Sequence, residues 1–94
     1  MRVLHLTLKK KWFDMIASGV KCEEYRELKP YWHKRLSKDY DVIKFRNGYA
    51  PDSPAVTVAL KEVLIGLGII EWGAPEQERV YILKLGEVLS TSCN

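Results

Sequence analysis

The densest group of chemically able side chains in this chain is the run Gly19-Val20-Lys21-Cys22-Glu23-Glu24-Tyr25-Arg26, which reads G-x-K-x-x-E-x-R. An ammonium, a carboxylate and a guanidinium in one pocket can bind a phosphate, orient a water or move a proton, because burial and mutual contact shift the pKa of each group. Side chains of an extended segment alternate between faces, so Glu24 and Arg26 share a face while Lys21 sits at the junction with the element before it. The competing reading is a solvated cluster in which Glu24 pairs with Lys21 or Arg26 for less than about 1 kcal/mol. Residue types alone leave both open.

The flanking pattern predicts what holds this run in place. Residues 3–8 alternate as a half-buried strand, with Leu4, Leu6 and Leu8 on one face and Val3, His5 and Thr7 on the other. Trp12, Phe13, Ile16, Ala17 and Val20 form one stripe of an amphipathic helix of about ten residues, which assigns Trp12 and Phe13 to the core. Gly19 stands where a left-handed C-terminal cap is wanted. Lys9, Lys10 and Lys11 occupy the start of that helix, where its dipole disfavours cations. Such local conflicts often mark functional surfaces.

Residues 21–28 read as extended. Pro30 suits the first position of a second short helix, with Trp32 and Leu36 as anchors spaced by four and an end before Asp39. Residues 42–46 alternate again, Ile43 and Phe45 against Val42, Lys44 and Arg46, and Asn47-Gly48 supplies a turn. Over residues 55–66, Val56, Val58 and Leu60 share one parity and Val63 and Ile65 the other, which predicts a bulge or bend near Lys61-Glu62. Residues 71–78 read as a loop and 79–85 as the last strand, while the small polar tail over 90–94 is expected to fray. The sum is an α+β domain of five or six strands and two short helices, its sheet curled into a small barrel with the first helix near an open end.

At 94 residues and 10.9 kDa the chain is expected to form one domain over residues 1–94, large enough to bury roughly 60–65% of its unfolded surface. Its 47% hydrophobic and 29% charged content excludes disordered and collagenous classes. The eight-residue apolar run 63–70 is far short of the roughly 20 residues that span a bilayer. No start reads as a signal peptide, so the expectation is a cytoplasmic protein without membrane association. Cys22 and Cys93 lack C-x-x-C spacing and His5 and His33 lack ligand spacing, which leaves two free thiols, no readable metal site and no cofactor. The formal charge of +3 is uneven: residues 1–46 carry twelve basic and six acidic residues, a net of +6, and residues 47–94 carry three and six, a net of −3. That asymmetry points weakly to an anionic ligand, unless folding scatters the charge.

The helix, its glycine cap and the G-x-K-x-x-E-x-R string resemble the ASCH domain family of small barrels, which is similar to the PUA RNA-binding domain. The resemblance spans nearly the whole chain and matches the signature at Gly19, Lys21, Glu24 and Arg26, with weaker likeness at Phe45-Arg46-Asn47-Gly48-Tyr49 and Glu71-Trp72-Gly73. It implies a PUA-like barrel and a cleft between the first helix and the barrel, lined by the motif and suited to RNA, a nucleotide or a nucleoside. Exposed aromatic rings stack on bases for about 1–3 kcal/mol each, which makes Tyr49 and Trp72, and also Trp32, candidate base contacts. Lys9, Lys10, Lys11, Arg35 and Arg46 are candidate phosphate contacts. The resemblance also implies a second reading, hydrolysis of RNA or of a modified nucleoside such as acetylated cytidine, with the motif lysine Lys21 as a catalytic group; by their chemistry Glu24 and Arg26 are its candidate catalytic partners, and Glu62, from its place at the parity switch, is a candidate assisting acid. The nucleoside-hydrolysing branch carries threonine where this chain has Glu24, so its hydroxyl nucleophile is missing here. Nothing in the sequence requires a metal, although Glu24 and Glu62 could carry one if they meet in space.

Overall fold

A computed structural model of the chain describes residues 1–92. The elements run β1 (Val3–Thr7), α1 (Lys10–Ala17), β2 (Glu23–Arg26), α2 (Pro30–Arg35), β3 (Val42–Arg46), β4 (Ala55–Leu67), a one-turn 3₁₀ helix (Ile70–Trp72) and β5 (Arg79–Ser92). All five strands form one sheet in the order β1-β3-β4-β5-β2. Strands β1 and β3 pair in parallel, and every other pairing is antiparallel. Residues at the end of β1 and on β2, the two edges of the sheet, nonetheless line one cleft. The sheet is therefore curled into a half-barrel, and the segment α1–β2–α2 lies between the paired strands β1 and β3 in the chain.

Alternation explains β1, whose Leu4 and Leu6 are buried, with Leu8 just beyond, while Val3 and His5 face out. With Phe13 and Ile16 of α1, Ile43 and Phe45 of β3, Val56 and Val58 of β4, and Leu83 and Leu85 of β5, these leucines make the main core. Each such side chain stabilises the fold by roughly 1.5–3 kcal/mol through loss of apolar surface to solvent. Trp32 and Leu36 dock α2 on this core, as their spacing predicts. A smaller cluster of Tyr25, Ala74, Val80 and Ile82 fills the other side of the β5 end of the sheet. Strand β5 thus buries alternate residues in two different clusters, which is why both its parities are apolar.

Three expectations are corrected. The α1 helix ends at Ala17, and Val20, beyond the Gly19 turn, is exposed rather than part of the apolar stripe. The β4/β5 ladder does shift register between Leu60 and Glu62, and also at Thr57/Val58 and Val58/Leu60; Val63 and Ile65 end up at the surface while Leu64 packs on the smaller cluster. The tail expected to fray from Ser90 instead extends β5 to Ser92, with Ser90, Thr91 and Ser92 opposite Thr57, Val56 and Ala55. The ladder satisfies backbone groups whatever the side chains are, so small polar residues pair there as well. Cys93 and residue 94 lie outside the described residues, and Cys22 is an exposed free thiol. No helix among the described residues is long and apolar enough to cross a membrane.

Candidate functional site

The turn after α1 aims the motif lysine inward. Gly19 adopts φ +84°, the left-handed region that a side chain disfavours. The Gly19 N–H donates to the carbonyl of Ile16 and the Lys21 N–H to that of Met15, so the chain folds back on the helix end before entering β2. Lys21 is 2% exposed. Its Nζ lies 2.9 Å from Glu24 Oε1, donates to the carbonyl of Trp72, and sits 4.7 Å from the Trp12 ring and 5.2 Å from the Tyr25 ring. Burial holds the Lys21 pKa below the usual lysine value, against the opposing pull of Glu24.

Glu24 is shared between two cations, because its Oε2 also lies 2.8 Å from Arg26 Nη2. That pair is an ion pair without hydrogen-bond alignment: Arg26 Nε and Nη2 are both buried and neither has a hydrogen-bond partner. Unpaired buried donors cost the desolvation of a polar group, about 1–3 kcal/mol each. The guanidinium also stands 5.1 Å from the Trp32 ring.

These groups form the floor of an open cleft of about 520 Å³, whose walls include Thr7, Leu8, Lys9, Trp12, Asn47, Tyr49, Trp72 and Gly73. Asn47 Nδ2 donates to the Leu8 carbonyl and fastens the loop that carries Tyr49 to the end of β1. Tyr49, 92% exposed, stands at the rim. Gly73 adopts φ +100°, and a Cβ there would come within 3.1 Å of the Trp12 ring. Only glycine lets the chain turn over that ring and leave the Trp72 carbonyl directed at Lys21.

The opposite face of β2 differs. Glu23 Oε1 accepts from the Tyr25 hydroxyl at 2.8 Å, and Oε2 lies 2.7 Å from Lys84 Nζ. The Tyr25 hydroxyl accepts in turn from the Ile69 N–H. Burial pushes the Glu23 carboxyl up, but the hydrogen bonds from Lys84 and Tyr25 outweigh it and hold the group below its usual value. Burial and the neighbouring Glu23 raise the Tyr25 phenol despite the Ile69 N–H.

Of the residues singled out by sequence, Lys21, Glu24, Arg26, Lys9, Tyr49 and Trp72 meet in the cleft. Lys10 is 2.6 Å from Asp14 on an exposed turn, and Lys11 lies over the outer part of α1 at 4.6 Å from the Trp12 ring; neither lines the cleft. Arg46 is a β3 residue between Thr7 and Ala55 in the ladder, outside the cleft lining. Arg35 lines an adjoining depression. Glu62 does not join the motif. It stands opposite Lys84 on β4/β5, and Lys84 stands opposite Glu23 on β2, so Glu62 shares the face of Glu23, not that of Glu24. A shared Glu24–Glu62 ligand set is thereby removed.

Sequence reasoning assigned Trp12 to the core; it packs against the main core, as expected, but is half-buried and its ring also walls the cleft. Thr7, Leu8, Asn47 and Gly73 also went unassigned. The Trp12 position carried one signal, an aromatic directly after three lysines, but helical spacing cannot separate a core ring from a ring at a cleft wall. Comparison with family models, with curated proteins and with solved structures returned no match. The ASCH resemblance accordingly rests on the motif and its neighbouring segments.

Proposed function

We propose that this chain is an ASCH-type, PUA-like domain that binds RNA or a nucleotide in the cleft at Lys21. The observation that carries the reading is the convergence of Lys21, Glu24 and Arg26 on one concave floor rimmed by Tyr49 and Trp72. Three cations, Lys9, Lys21 and Arg26, line the cleft against a single carboxylate, Glu24. That excess suits a polyanion. The rims offer aromatic surface for a base, and Glu24 and the Trp72 carbonyl are acceptors for its exocyclic amine. The charge asymmetry of the sequence is thus in part gathered at the site, with Lys10 neutralised locally by Asp14.

A second reading, hydrolysis of RNA or of a modified nucleoside such as acetylated cytidine, is favoured by one observation, the burial of the Lys21 amine between the Trp12 and Tyr25 rings, which holds its pKa below the usual lysine value. A larger neutral fraction makes an amine a better general base. In that reading Lys21 takes a proton from water as the water oxygen bonds to the amide carbonyl carbon or the phosphorus, Arg26 stabilises the charge that develops on the oxygens, and the C–N or P–O bond breaks as the lysine ammonium returns the proton to the departing amine or alkoxide.

Single-stranded RNA and acetylated cytidine, each incubated with wild type and with Lys21→Ala and Glu24→Ala, decide between the two. Salt-sensitive binding that Lys21→Ala abolishes, without turnover, supports the binding domain. Product formation lost in either variant supports the hydrolase. Wild type that neither binds nor reacts overturns both.

A further inference from the structure

Beside the cleft is a smaller depression of about 240 Å³ lined by His5, Leu6, Thr7, Arg26, Trp32, Arg35 and Tyr49. It shares Thr7, Arg26 and Tyr49 with the cleft, so the two are continuous along the line from Lys21 past Arg26 to Arg35. Two guanidiniums flank one indole there: Arg26 Cζ is 5.1 Å and Arg35 Cζ 5.5 Å from the Trp32 ring. Both distances are within cation–π range, which orients the planar groups without neutralising them.

Arg35 is held further by Nη2, which donates to the His5 carbonyl at 3.1 Å, and by Nη1, which donates to the Tyr31 hydroxyl at 3.3 Å. These bonds anchor α2 on β1 and leave the positive charge without a carboxylate, since no ion pair to Arg35 occurs among the described residues. Arg26 shares its one carboxylate, Glu24, with Lys21, so two cations are set against a single acid there. No acid lines this depression. Another hollow beside Arg26 includes Glu27 and Glu78, whose charges repel an anion. The geometry therefore selects one direction for phosphate.

We propose that the Arg26–Trp32–Arg35 depression is a phosphate subsite of the cleft, so that the ligand is a nucleotide, free or within an RNA strand, rather than an unphosphorylated nucleoside. This rests on the reading of the cleft as a nucleotide or RNA site. Planar guanidiniums match phosphate oxygens two at a time, and two of them border this one depression.

The test measures tryptophan fluorescence or heat on titration with the four ribonucleosides, their 5′- and 3′-monophosphates and the corresponding dinucleotides, against wild type, Arg35→Gln and Arg35→Lys. In wild type at least one phosphorylated probe should bind about tenfold or more tighter than its nucleoside, the scale of a charge-assisted hydrogen bond. A preference for one monophosphate gives the polarity of a free nucleotide; a gain confined to dinucleotides assigns the subsite to a strand's diester. Arg35→Gln should remove that advantage while nucleoside affinity, measured well below the variant's own thermal midpoint because the α2–β1 anchor is lost with it, stays near wild type, and Arg35→Lys should restore part of it. Equal affinity for nucleosides and phosphorylated probes overturns the subsite but leaves the cleft reading standing. An advantage that survives Arg35→Gln also overturns it. Failure of every probe to bind overturns the subsite and the cleft reading together.

Discussion

The two faces of β2 carry one buried acid each, and they treat it in opposite ways. On one face Glu23 has a hydroxyl on one oxygen and an ammonium on the other, and the Tyr25 hydroxyl that serves it also receives the Ile69 N–H. The hydrogen bonds of that network close within the protein, and its tyrosine belongs to the smaller apolar cluster while one part of its ring also lines the cleft beside Lys21. On the other face Glu24 is divided between Lys21 and Arg26, so two cations share one acid, and the groups floor an open cleft. Burial alone thus does not identify a site. The difference lies in balance and place: one network pairs its acid and base inside the protein, while the other sets two cations against one acid at the floor of a cleft that a ligand can enter.

The comparison breaks if substitutions on the two faces have similar effects. Lys21→Ala should be the most damaging for ligand: RNA affinity should fall about 10- to 100-fold, as expected for a charge-assisted bond lost from a water-poor floor. Filter binding at fixed ionic strength measures this, and wild-type affinity in the variant would remove Lys21 from the site. Tyr25→Phe, on the other face, should destabilise the fold by about 1–2 kcal/mol through loss of its hydroxyl bonds, seen as a lower urea midpoint with RNA affinity retained. A Tyr25→Phe protein that keeps its stability but loses RNA would mean the closed network is part of the site.

Acid titration sharpens the contrast. Glu23 has a folded pKa held below the carboxylate value of 4.5, so the stability it contributes is present above that value and is lost as pH falls through the lower folded one. Glu23→Gln should accordingly flatten the acid limb of the stability curve below about pH 4.5, with little change in RNA binding at neutral pH; an unchanged limb would mean that Glu23 is not the group that titrates. Tyr49→Ala should act only on ligand, lowering affinity by about 1–3 kcal/mol if the ring stacks on a base, with a thermal midpoint indistinguishable from wild type because the residue is 92% exposed. Smallest of all, Glu62→Ala should change neither binding nor turnover, and a marked loss would reinstate the acid that the strand register places on the other face.

Much of the framework was legible from local pattern. The alternation of 3–8 and 42–46, Pro30 at the start of α2, Gly19 after α1 and the irregularity between Leu60 and Glu62 all appear where the sequence places them, since each depends on near neighbours and backbone sterics. What misled was the same locality. Ser90 to Ser92 have side chains of a loose tail, but the ladder to Ala55–Thr57 orders them. Val63 and Ile65 have side chains of an inner face, but the register shifts and the curl of the sheet leave them outside. Trp12 reads as core because the helical stripe specifies a side, not the depth at which that side ends.

For the site, the sequence by itself determined the cast and its alternation: Glu24 and Arg26 on one side of a strand, Glu23 and Tyr25 on the other, a consequence of the two-residue period of extended chain, while Lys21 precedes the strand and is aimed into the cleft by the Gly19 turn. The tertiary structure decided what each group meets. It brought the Trp72 carbonyl to Lys21 across fifty-one positions, put Trp12 and Tyr49 on the walls, set Arg35 beside Arg26 around Trp32 and placed Glu62 on the far face. Those are contacts between segments distant in the chain. They follow from strand order, register and the curl of the sheet, which local propensity does not encode, and they separate a charge network closed within the protein from one at the floor of a cleft.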